Sequence, residues 1–217
     1  ALGQAIGLAL DKAILYGKGT KMPLGIVTRL AQATKPESYP ETARTWVDLS
    51  STNIKSIAAA KTGVELFKEI IKASGAAKGK YSTGTRFWAM NETTKTTLVS
   101  EALSFNAAGA IATGMNDTMP IIGGTIETLD FIPDNVIVGG YGDLYLLAER
   151  EGTSIAQSEH VKFLEDQTVF KGTARYDGIP SIAEGFVAIG ISGTKPTADM
   201  TFADDTVNAK VAAGTKE

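Results

Sequence analysis

Between Thr168 and Asp177 the even positions are mostly apolar or small (Phe170, Gly172, Ala174, Tyr176) and the odd positions mostly polar (Lys171, Thr173, Arg175, Asp177). A period of two sends successive side chains to opposite faces, so the stretch reads as a long strand with one covered face and one polar face. It closes a wider region, Gly139 to Asp177, in which strand-like segments carry charges at regular intervals. A row of Lys, Arg and Asp at that spacing suits cross-strand or cross-subunit ion pairing, whereas catalysis needs side chains converging on a pocket. Spacing alone favours a solvated edge strand protected by its charges. The sharper reading is a surface that meets copies of the same chain.

The chain has 217 residues, 43% hydrophobic and 21% charged, enough for one large domain or two small ones with a real core. A net charge of -3 and a pI of about 5.3 leave no basic footprint for a nucleic-acid backbone, so contact with DNA or RNA is expected to be local or indirect. The absence of cysteine excludes disulfides, thiolate metal sites and cysteine nucleophiles. No apolar run approaches the roughly 20 residues that cross a bilayer, and Ala-Leu-Gly-Gln at the start lacks a basic signal-peptide region. The expectation is a cytosolic product with no membrane partner. Because the chain opens without Met, inside a helical pattern, an upstream segment is expected to have been removed.

Leu2, Ile6, Ala9, Leu10 and Ala13 share a helical face that ends at Gly17 and Gly19, which predicts a helix over residues 1–16. Met22 to Val27 is expected to be extended, and a polar loop with Pro36 and Pro40 leads on to Trp46. Side-chain oxygens between Ser50 and Asn53 predict the cap of a second helix through Ile57, Phe67, Ile70 and Ile71 to Gly75, kinked at Gly63. Arg86 to Met90 reads as a buried strand, and Asn91 as the N-cap of a third helix from Glu92 to about Ser104. Asn106 to Met119, Ala- and Gly-rich with few large side chains, is the expected mobile or partner-ordered loop. Further strands are expected at about 120–129, 135–139, 143–150, 154–163, 168–176 and 185–191, the last apolar on both faces as a central strand would be. A polar tail follows Gly193.

Chemistry-bearing motifs are few. Gly17-Lys18-Gly19-Thr20 fails as a phosphate loop because Lys12 stands where the first glycine belongs and the segment follows a helix where it should precede one. His160 is the only histidine and no G-x-S-x-G elbow accompanies it, so it reads as structural. With no cysteine a transition-metal site is not expected, and Asp204-Asp205 reads as solvated charge. The pairs Glu149/Glu151 and Glu165/Asp166 carry no role without a pocket. Phe87 and Trp88 read as core. No catalytic residue, cofactor site or metal site is assigned.

Several segments taken in order resemble the major capsid proteins of tailed bacteriophages, the Hong Kong 97 fold. Asp11 to Thr20 followed by Pro23-Leu-Gly-Ile26 resembles the end of that family's spine helix and its glycine turn. Arg86-Phe-Trp-Ala-Met-Asn91 with Thr93 resembles its strand-to-helix step. Gly139 to Arg150, Gly152 to Phe163, and Phe170 to Gly178 resemble its closing strands in order and spacing. The resemblance spans residues 8–192 and implies an α+β fold with an axial α/β domain and a peripheral domain of spine helix plus long strands. It implies a division into residues 1–29 (spine helix end and glycine turn), 30–144 (axial), 145–184 (peripheral strands), 185–194 (strand returning to the axial domain) and 195–217 (polar tail). The family's N-terminal arm and extended hairpin have no counterpart here.

The implied role is structural: a phage or prophage capsid subunit that assembles in the host cytoplasm into pentamers and hexamers of an icosahedral shell. Scaffold, protease and portal proteins would be further partners, and packaged DNA would be met only indirectly. Arg150, Lys171, Arg175 and Asp177 are the candidate inter-subunit charges. Asn106, Gly109, Gly114, Asn116 and Asp117 are the candidate capsomer-axis loop. Two alternatives stand beside this: an encapsulin-like bacterial compartment shell, and a cytosolic α+β enzyme using carboxylates in a deep pocket.

Overall fold

A computed structural model describes residues 2–37, 39–105, 111–113, 117–162 and 165–202. The expected first helix is α1, Leu2–Tyr16, buried at Ala13, Leu15 and Tyr16. The chain then turns on glycine, and the Gly25 amide donates to the Gly17 carbonyl at 2.8 Å. The segment expected to be extended through Val27 is instead helical from Ile26: α2, Ile26–Ala31, buries Ile26, Val27 and Leu30. Six residues are too few to declare a helical period, and tertiary packing holds this one.

A second difference concerns the capping oxygens at residues 50–53. They do not start a helix. The Asp48 carboxylate takes the Ser50 amide and hydroxyl, and the Asn53 side-chain amide donates to the Phe186 carbonyl at 2.7 Å and the Ala76 carbonyl at 3.2 Å. Strand β1, Ile54–Ser56, follows, and the helix begins only at Gly63 as α3, Gly63–Ser74, with φ 50° at its first residue. Gly63 is therefore an entry point, and the expected kink is absent.

The strand expected at 86–90 is β2, Arg86–Met90, and α4, Glu92–Ala102, follows it. The Asn91 side-chain oxygen accepts the Thr94 amide at 2.8 Å and its Nδ2 donates to Asp134. Asn91→Ala is expected to cost about 1–2 kcal/mol in urea unfolding, the range of a lost N-cap. Parent-like stability would show that this cap contributes nothing. Two short strands, β3 (Ser104–Phe105) and β4 (Ile111–Thr113), pair antiparallel.

The remaining strands are β5 (Thr125–Thr128), β6 (Val136–Tyr141), β7 (Tyr145–Lys162), β8 (Gln167–Pro180) and β9 (Phe186–Gly190). A five-stranded sheet runs β1-β9-β6-β2-β5. Strand β9 is buried at every residue, as its two-faced apolar sequence requires. Trp88, Met90, Ile137, Val187 and Ile189 face a core shared with Leu66, Phe67 and Ile70 of α3 and Leu98 of α4. The alternate residues Ala89, Val136, Val138, Phe186 and Ala188 face a second core with Leu15, Tyr16, Ile26 and Leu30. Helices thus cover both faces of the sheet. Residues expected as two strands, 143–150 and 154–163, are one, because register shifts at Glu149/Glu151 and Glu151/Ser154 absorb the irregular charged sequence without ending it.

Candidate functional site

Strands β7 and β8 form a two-stranded antiparallel sheet of their own, from Tyr145 opposite Pro180 to Lys162 opposite Gln167. Along β8 the sequence alternation becomes an alternation of exposure. Lys171, Thr173, Arg175 and Asp177 are exposed, while Gly172, Ala174, Tyr176 and Gly178 are half-buried. The covered face rests on α1: a side chain at Gly172 would meet Leu2 and Ile6. At its base the ribbon is tied to the glycine turn, with the Leu24 amide donating to the Gly178 carbonyl at 2.8 Å and the Tyr145 hydroxyl to the Leu24 carbonyl at 3.0 Å. Burial, with Asp177 adding, raises the Tyr145 pKa above the ordinary phenol value, so the hydroxyl remains a donor.

All four charges assigned to subunit contact lie on this ribbon and are exposed. Arg175 reaches across to Glu151 at 3.1 Å. Arg150 falls at the register shift between Glu149 and Glu151, so no residue of β8 stands opposite it. Lys171 lies opposite Ala156, and Asp177 accepts the Gly178 amide at 2.8 Å. Around these charges the ribbon exposes large apolar side chains: Leu146, Leu147, Ile155, Phe170 and Ile179, with Leu146, Ile155 and Phe170 more than half accessible. The sequence alternation places Phe170 on the covered face with Gly172, Ala174 and Tyr176, but it is exposed, because the covering by α1 reaches Gly172 and not this end of the strand; Leu146, Leu147, Ile155 and Ile179 were not singled out.

Of the candidate axis loop, Asn106, Gly109, Gly114 and Asn116 lie outside the described residues. Asp117 is described and pairs with Lys95 at 2.9 Å. This bond holds the Asp117 carboxylate below its usual pKa range.

Two hollows flank the ribbon's base. A cleft of about 500 Å³ lies between Lys18, Gly19 and Leu24 on one side and Leu146, Asp177 and Ile179 on the other, with Asp177 as its one carboxylate among the described residues. A smaller hollow of about 110 Å³ lies beside Arg29, whose guanidinium stacks 3.5 Å from the Trp46 ring centre and donates to the Val47 carbonyl. Arg29 pins the polar loop to the core by this stack. His160 is exposed on β7. Among the described residues no cluster of acids and histidine could hold a metal ion, and no helix is long and apolar enough to cross a membrane.

No curated protein sequence matches the chain. In structure it is similar to the capsid of an empty GTA particle computed with C5 symmetry, at TM-score 0.59 and 18% identity over 88% of this chain and 64% of that one. The capsid of the native GTA particle gives TM-score 0.58 at 16% identity, over 88% of this chain and 63% of that one. A virus-like particle from Pyrococcus furiosus superposes less well, at TM-score 0.45 and 15% identity over 65% of this chain and 58% of that one, and carries no argument. The chain therefore spans a little under two thirds of the length of the GTA capsid chains and shares their fold. The model of the phage capsid family matches residues 1–191, and the chain belongs to that family.

Proposed function

We propose that the chain is a structural subunit of a phage or prophage capsid, self-assembling into pentamers and hexamers of an icosahedral shell around the genome. The observation that carries this reading is the β7–β8 ribbon. Strand β7 has 18 residues, so the ribbon extends roughly 60 Å at about 3.4 Å per residue. A two-stranded ribbon is marginal in water by itself, and among the described residues this one leaves Leu146, Leu147, Ile155, Phe170 and Ile179 exposed. Contact with neighbouring copies would cover them. Modest interfaces of this kind become collectively stable when a ring or shell closes. In this reading residues 1–29 and 145–184 form the peripheral part, and residues 30–144 with 185–194 the axial part, ahead of the tail at 195–217. Assembly would take place in the host cytoplasm, with scaffold, protease and portal proteins as partners.

The test is native mass by light scattering, with negative-stain imaging of the same fractions, on this chain and on a version extended to the length of the GTA capsid chains. Rings or shells are expected from the longer chain. Monomers of both across salt and concentration would overturn the proposal. In the assembling form, Arg175→Glu reverses a charge on the exposed edge and places it beside Glu151. It is expected to weaken assembly while leaving the melting temperature nearly unchanged, since an exposed pair contributes at most about 1 kcal/mol. Equal assembly would remove Arg175 from the contact.

A further inference from the structure

Away from the ribbon, Ile121 combines two unfavourable properties. It is a β-branched residue with φ at 69°, and its side chain is 86% exposed. The Ile122 amide donates to the Pro120 carbonyl at 2.8 Å, closing a three-residue ring around Ile121. That hydrogen bond with positive φ is the pattern of the rare, strained γ-turn, which a β-branched residue fits poorly.

The turn is firmly held. The Gly123 amide donates to the Met119 carbonyl at 3.0 Å, the Met119 amide to the Gly124 carbonyl at 3.2 Å, and Trp88 Nε1 to the Gly123 carbonyl at 2.8 Å. Met119 beneath it is buried. The other two positive-φ positions of this turn, Gly123 and Gly124, carry glycine, the residue such backbone favours. At 121 the same residue would remove both the strain and the exposed apolar surface. Within one copy the isoleucine therefore adds strain without gaining burial, and strain kept at a rigid exposed point calls for a contact outside the copy.

Strand addition does not supply that contact, because residues 117–118 already cover the adjoining edge strand β5, through the Ile126 amide bond to the Asp117 carbonyl and the Thr118–Thr125 bridge. What the turn presents is a fixed apolar knob, repeated once per copy. We infer that Ile121 is a contact residue by which one copy of this chain is held head-to-tail against a second copy in a ring. The inference rests on the shell-subunit reading above. Each copy would use its knob on the next, so the loss at one residue is multiplied around the ring.

Ile121→Gly and Ile121→Asn test it in the form of the chain that assembles. Melting is followed on dilute, dissociated protein, and association by light scattering across a concentration series. Ile121→Gly is expected to raise the melting temperature by about 2–4 °C, and both variants to weaken association by about tenfold or more. A gain in stability with a loss of association is an outcome that a purely structural role for Ile121 would not give. If the parent associates and both variants associate equally well, or if Ile121→Gly melts lower than the parent, the inference is overturned and the shell reading stands. A parent that never associates overturns both.

Discussion

Gly25→Ala is expected to lose about 3 kcal/mol or more of folding stability, at the upper end of what overpacking costs. A Cβ at residue 25 would lie 2.6 Å from the Tyr16 nitrogen and carbonyl carbon, and closer still to the Gly17 nitrogen. These are backbone atoms held by the end of α1 and by the bond from the Gly25 amide to the Gly17 carbonyl. They cannot swing aside as a flexible side chain would. The backbone angle plays no part, since φ at Gly25 is an ordinary -72°. The comparison is Gly7→Ala, within α1, with nothing within 4 Å of the added carbon. There alanine is expected to add up to about 1 kcal/mol through helix propensity. Urea unfolding followed by circular dichroism reads both. Equal midpoints for Gly25→Ala and the parent would show that α1 and α2 separate freely at this point.

Trp88→Ala is expected to cost about 3–5 kcal/mol, the range for deleting a fully buried large aromatic. Trp88 has no exposed surface and lies in a slot made by two glycines. Gly139 stands directly opposite it across β2 and β6, and a carbon added there would collide with the indole ring. One added at Gly124 would lie 2.7 Å from the indole nitrogen. The indole also ties the sheet to the turn that carries Ile121, through its bond to Gly123. Deletion therefore empties the slot and releases the turn. Gly139→Ala should in turn be less costly in the Trp88→Ala chain than in the parent, because the ring it would strike has gone. Additive losses in that double-mutant cycle would show that the two residues do not share the slot.

What the sequence disclosed follows from which interactions are local. The β8 alternation was legible because a period of two is a local property, and exposure along Lys171, Thr173, Arg175 and Asp177 follows it. Asn91 was legible because its partner, Thr94, is three residues away. Asn53 misled because its side chain serves Phe186, 133 residues on, and not the next turn of a helix. Strand β1 was hidden with it, since three residues whose pairing partners stand at 188–190 have no local signature. The four charges proposed for subunit contact lie exposed on the ribbon; Phe170, expected on the covered face, is exposed as well, and Leu146, Leu147, Ile155 and Ile179 went unremarked. Ile121 could have been suspected from Pro120-Ile-Ile-Gly-Gly124, a turn composition with isoleucine where a turn residue is expected.

The strand order has a consequence for the birth of the molecule. Strand β9 lies between β1 and β6, parallel to the first and antiparallel to the second. Neither has another neighbour on that side, so the central sheet stays open until residue 190 is available to fill the gap. The two cores close at the same moment, because alternate residues of β9 supply both of them. Such long-range pairing is slow, and the waiting chain exposes edges that favour aggregation. A ribosome must therefore deliver β9, about 130 residues after β1, before the sheet can lock, which makes the onset of stability wait on that one strand.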